Sequence, residues 1–124
     1  MTIENDLFDY LSANTSGVTF AQTMAMPDAS YPLVEITLDD NRRTRTTETT
    51  SVGRITSFEV ECWHTSTGDA AALAAELITL LQDYTGNLGG TSNVMATRII
   101  NEFQGSDGAA EAFYSTFTVI FTHK

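Results

Sequence analysis

Nucleophilic catalysis needs a hydroxyl or thiol beside a base, and the sequence offers two histidines, His64 and His123, and one cysteine, Cys62. Cys62 and His64 stand at i, i+2, so on a strand they would share a face. The plainer reading packs Cys62 in the core and ends the strand at His64. Glu59 and Glu61 also stand at i, i+2, roughly 6.5 to 7 Å apart along a strand. Two carboxylates at that spacing could serve a glycosidase or hold a cation, but they are more simply solvated or paired across strands. Asp39-Asp40-Asn41 lacks the alternating acids and glycine of a calcium loop. Gly86-Asn87-Leu88-Gly89-Gly90 lacks the lysine of a phosphate loop and follows a helix instead of opening one. Both read as turns. A single cysteine allows neither a disulfide within the chain nor a cysteine-based zinc cluster. These residues form no catalytic signature, and no metal site or cofactor is expected from them; a small ligand-binding or enzyme domain using Glu59 and Glu61 is the rival reading they leave.

The charges say more. Sixteen Asp and Glu stand against six Lys and Arg, a formal charge of −10. That disfavours a general nucleic-acid-binding surface, because neutralising phosphates needs clustered cations in excess. The cations are concentrated, however: Arg42, Arg43, Arg45 and Arg54 are four of the five arginines. Residues 42–54, with Glu48 as their one acid, carry +3, and the remainder of the chain carries −13. A molecule so polarised can recruit an oppositely charged partner, including another copy of itself. The Arg42-Arg43-Thr44-Arg45 cluster reads as a solvated hairpin tip, as a dock onto an acidic surface of a neighbouring subunit, or as a sliding contact with a nucleic-acid backbone. The −13 carried elsewhere by each copy favours self-association among the functional readings.

The elements that must position these groups follow from periodicity. At 124 residues the chain is long enough for one domain and too short for two separate cores. Ile3, Leu7, Phe8 and Leu11 line one face of an opening helix that Thr2 can cap, with Glu4, Asn5, Asp6 and Asp9 around the other. Asn14 or Gly17 could supply its left-handed end. Residues 18–23 form a short strand, and 27–30 a turn. From Pro32, Val34, Ile36 and Leu38 alternate with Leu33, Glu35 and Thr37, a half-buried strand. Residues 39–53 hold no apolar side chain except Val52 and read as an exposed hairpin arm or a mobile loop. Phe58, Val60 and Cys62 then alternate with Ser57, Glu59, Glu61 and Trp63. Residues 65–69 open a second helix that runs to Tyr84 on a stripe of Leu73, Leu77, Leu80 and Leu81, with Gly86 at its end. A strand over 94–103 has an uncertain register because Ile99 and Ile100 are adjacent; residues 105–108 turn, and Phe113, Phe117, Val119 and Phe121 mark the last strand.

The expected architecture is a single α+β domain in the order α-β-β-β-α-β-β, a mainly antiparallel sheet packed by helices, with a long hairpin arm between the second and third strands. One sheet face keeps Leu33, Trp63 and Ile120 among Thr and Glu, unusual for a face that meets only water. The acidic opening lacks the basic and apolar regions of a signal peptide, the lone cysteine suits a reducing compartment, and no apolar run approaches the ~18 residues of a membrane span.

Over nearly its whole length this pattern resembles the tail terminator, or tail completion, proteins of long-tailed bacteriophages, neck-ring proteins of the lambda type. The resemblance is carried by the opening helix IENDLFDYL, the proline-led strand YPLVEITL, the long polar hairpin, the segment SFEVECWHTSTGDAAALAAELITLL, and two closing strands. It implies a structural virion protein without enzymatic activity that forms a ring, a hexamer in this family. Such a ring caps the tail tube and joins the tail to the head completion or connector protein, while DNA passes through its lumen without sequence-specific binding. The implied partners are other copies of itself, the tail tube protein and the connector, with no membrane. The implied location is the tail-neck region of the virion, reached from the host cytoplasm during assembly. By position, Arg42, Arg43 and Arg45 become contact candidates, and Arg54, Glu59, Glu61 and Trp63 join them on the residues' own chemistry. Acidic residues facing a channel would keep DNA from sticking, while a few arginines could grip it weakly. A head-side stopper or connector, a small acidic ligand-binding domain outside phage assembly, and an acidic adaptor for a basic host protein are the competing readings.

Overall fold

The computed structural model describes residues 3–22, 31–45, 51–90, 93–108 and 112–123. Two helices, α1 (Ile3–Asn14) and α2 (Thr67–Leu81), pack on one face of a five-stranded sheet. Its strands are β1 (Thr19–Gln22), β2 (Leu33–Arg45), β3 (Ser51–His64), β4 (Val94–Asp107) and β5 (Ala112–His123), in the spatial order β1-β2-β3-β5-β4. β1 runs parallel to β2, and every other neighbouring pair is antiparallel. The expected α-β-β-β-α-β-β order and α+β class are those of the protein.

Strand alternation decides the core. Val34 and Ile36 of β2, Phe58, Val60 and Cys62 of β3, and Phe117, Val119 and Phe121 of β5 all point to the helix side and form one buried cluster. α1 adds Ile3, Leu7 and Leu11 to it, and α2 adds Leu73, Ala74, Leu77 and Leu81. These spacings of three and four residues put each stripe on one helical face. Ser66 caps α2 by accepting a hydrogen bond from the Asp69 backbone N–H at 3.2 Å.

Four local expectations change. α2 stops at Leu81, short of Tyr84, and the left-handed residue after its C-cap is Asp83 at φ 60°, not Gly86. Tyr84 is needed elsewhere: its carbonyl accepts from Thr97 at 2.8 Å and its hydroxyl from the Leu88 N–H at 2.9 Å, fastening the segment that follows. Asp6, expected on the outer face of α1, is buried against Gly90, where any Cβ would overlap its carboxylate. Asp39, Asp40 and Asn41 are strand residues of β2 at a register shift between Leu38 and Asp40, not a turn. β4 runs through Gly105 and Ser106 to Asp107, so the expected turn at 105–108 is largely strand. Gly105 sits there because the Tyr114 ring of β5 lies over its Cα, in the space a side chain would take. Gly17, at φ 73°, follows α1 as expected. The Thr2 cap, the turn at 27–30 and the arm's residues 46–50 lie outside the described residues.

Candidate functional site

The Cys62–His64 pairing does not work as a nucleophile and its base. Cys62 and His64 share the helix-side face, as their spacing requires, but the thiol is fully buried and its pKa is pushed up to about 12, by burial first and then by Glu61. A thiol so held is not a thiolate at neutral pH. His64 Nδ1 accepts the Thr65 backbone N–H at 2.8 Å and lies 3.9 Å from Asp69. His123 is buried, 2.8 Å from the Thr56 hydroxyl. The glycine-rich segment is a turn whose N–H groups are engaged internally: Leu88 on the Tyr84 hydroxyl, Gly89 on Asn87 Oδ1 and Gly90 on the Asn87 carbonyl. Among the described residues no group of His, Cys, Asp and Glu is placed to hold a metal ion.

What the fold does assemble is the sheet face away from the helices. Cross-strand register lays out its rows. Leu33, Trp63, Tyr114 and Gly105 form one row across β2, β3, β5 and β4. Glu35, Glu61, Thr116 and Phe103 form the next, and Thr37, Glu59, Thr118 and Ile100 the third. The first row is aromatic and tight: the Trp63 and Tyr114 rings are 4.8 Å apart, and Phe103 meets Tyr114 edge-on at 6.0 Å. Leu33 at one end of this row is buried, whereas Phe103, in the next row on β4, is 56 % exposed. An exposed phenylalanine continuous with half-buried aromatic rings suits a contact surface.

Acids occupy the rest of the face. Glu35 and Glu61 are directly opposite one another across β2 and β3, and Glu59 is one step along β3 on the same side. Like charges placed directly opposite disfavour the pairing. The Glu61 pKa is accordingly raised, by partial burial first and then by the charges of Glu35 and Glu59. The Trp63 indole lowers it, but its buried Nε1 lacks sound hydrogen-bond geometry and offsets only part of the rise. β4 shapes the other side. Ile99 faces the core and Ile100 faces outward by plain strand alternation, and the irregularity that Asn101 marks at φ 56° turns Phe103 outward as well. The adjacent isoleucines are thereby accounted for. Glu59, Glu102, Asn101, Phe103, Thr116 and Thr118 line an open recess of about 370 Å³ at this irregularity.

The basic candidates lie at the other end of the same ladder. Arg42, Arg43 and Arg45 pair in register with Ile55, Arg54 and Ser51, so the arm is a true β-hairpin whose strands run beyond the last β3–β5 pair at Arg54 and His123. The side chains of those three arginines lie outside the described residues. Arg54 is half-buried and falls on the helix side of β3, away from Glu59, Glu61 and Trp63. The seven candidates thus divide into an acidic and aromatic sheet face and a basic arm. Sequence reasoning did not single out Glu35, Glu102, Phe103 or Tyr114, because their membership depends on register and on the β4 irregularity.

Solved structures share this fold over nearly its whole length. A chain in the structure titled "Virion of native gene transfer agent (GTA) particle" superposes with a TM-score of 0.68 and covers 94% of this chain and 90% of its own length, at 10% sequence identity. At that identity the likeness is one of fold. No family model matches the sequence, and no curated protein does.

Proposed function

We propose that this chain is a structural virion protein of the phage type, a neck component that assembles as a ring, hexameric on the strength of the family resemblance. In this reading it ends the tail tube, joins the tail to the head connector, and lets DNA pass without specific binding. The carrying observation is the match of nearly the whole fold to a chain of a gene transfer agent virion. Two features of the chain itself support it. An aromatic sheet face is left uncovered by the protein's own helices, and a projecting hairpin carries most of the arginines of an otherwise acidic molecule. Both suit a subunit whose surfaces are completed by neighbours. Loss of the protein from its phage is expected to leave heads and tails unjoined, with tail tubes of uncontrolled length by electron microscopy. Normally joined virions of unaltered tail length in its absence would contradict the proposal.

A further inference from the structure

We infer that the uncovered sheet face around Glu59, Glu61 and Glu102 is the docking site for the arginine-rich hairpin of a second copy of this chain. The inference rests on the self-assembling reading and names both sides of the contact.

Charge complementarity identifies the occupant. The recess beside β4 offers the carboxylates of Glu59 and Glu102 and the exposed ring of Phe103. Carboxylates suit the forked donors of a guanidinium, and an aromatic face suits its flat surface. Glu61 lies beside Glu59 on the same face with its pKa raised by burial and by neighbouring carboxylates, and an incoming cation favours its charged form. Residues 42–54 hold four of the five arginines, so the arm of another copy is the cation source the molecule itself provides. In the register of the arm Arg43 stands directly opposite Arg54.

Within one chain the end of the arm stands well away from the site. β3 carries both Glu59 and, at the arm, Ser51 opposite Arg45, and pairs with β5 without a break from Arg54 to His64. Along that continuous strand Glu59 stands roughly 13 Å from the position of Arg42, opposite Ile55, and roughly 26 Å from that of Arg45. Arm and face are different patches, so the contact is head to tail, the kind that closes into a ring or continues as a filament.

Two variants test this. One carries Arg42→Glu, Arg43→Glu and Arg45→Glu; the other carries Glu59→Lys and Glu102→Lys, both at exposed positions that the fold tolerates, with circular dichroism confirming it. Sedimentation velocity at up to about 1 mM, enough to populate a weak contact, should show the wild-type chain self-associating. Each variant alone should associate about 100-fold more weakly or worse. Their equimolar mixture should recover, because an acidic arm meets a basic face at one junction and the native pairing recurs at the next. A wild-type chain that stays monomeric at that concentration, undiminished association of either variant, or a mixture no better than its parts overturns the docking. Rings that persist unchanged in both variants overturn the docking and leave the ring reading standing. Recovery of the mixture into open oligomers without rings keeps the docking and removes the ring.

Discussion

Glu61 shows how a single side chain reports on the surface it belongs to. Its folded pKa lies above the ordinary glutamate range, so the folded chain holds a proton that the unfolded chain has released. Stability therefore falls as pH rises from that range, near 4.3, through the raised pKa. Glu61→Gln should stabilise the monomer at neutral pH and make no difference at pH values where Glu61 is protonated in both states. Urea midpoints measured across pH read this out, and an equal effect at every pH would contradict the assignment. Gly90 makes a second prediction at this scale. A methyl group there overlaps the buried Asp6 carboxylate, so Gly90→Ala should cost about 1–3 kcal/mol in a denaturation experiment. Asp6 itself was unreadable in advance: its place in the first turn of a helix marks it as a dipole partner facing water, and only the path of the segment after α2 buries it.

Elements were legible where periodicity was long and clean. Leu73, Leu77 and Leu81 fix the inward face of α2, and Phe58, Val60 and Cys62 that of β3. The end of α2 was misplaced because glycine is the ordinary left-handed residue after a helix, whereas here Asp83 holds that position. Asp83→Gly should relieve both the backbone and a carboxylate at the negative end of the helix dipole, raising stability by up to about 1 kcal/mol. No gain in thermal midpoint would show that Asp83 is held by interactions that repay its conformation. The extent of β4 was hidden for a different reason. Gly105 and Ser106 have turn composition, and what makes them strand is the Tyr114 ring on the neighbouring β5. The arm was readable as a hairpin from its polar, Thr-rich flanks, and its register is confirmed through Arg45 and Ser51. Replacing Arg42, Arg43 and Arg45 with Ser should leave the melting transition of the monomer unchanged and weaken assembly. Unchanged assembly and infectivity after that triple replacement would refute a contact role.

At the scale of the molecule, the net charge of −10 conceals the feature that matters, a basic arm on a −13 body. The sequence contains both halves of that split, but no local pattern places them. The parallel pairing of β1 with β2, and the insertion of β5 between β3 and β4, come from long-range pairing. Only that order brings Glu35, Glu61 and Phe103 into one row and sets Glu102 beside Glu59. The resulting object has its two helices on one sheet face, leaves Glu59, Glu102 and Phe103 exposed on the other, and extends its arm past the sheet. The central claim is that such a subunit is completed by copies of itself on a tail tube. Mixing the purified protein with its tail tube protein, then measuring mass in solution and imaging by negative stain, tests this most directly. The account predicts closed rings seated on tube ends; a strictly monomeric protein that forms no ring even with the tube present would contradict it.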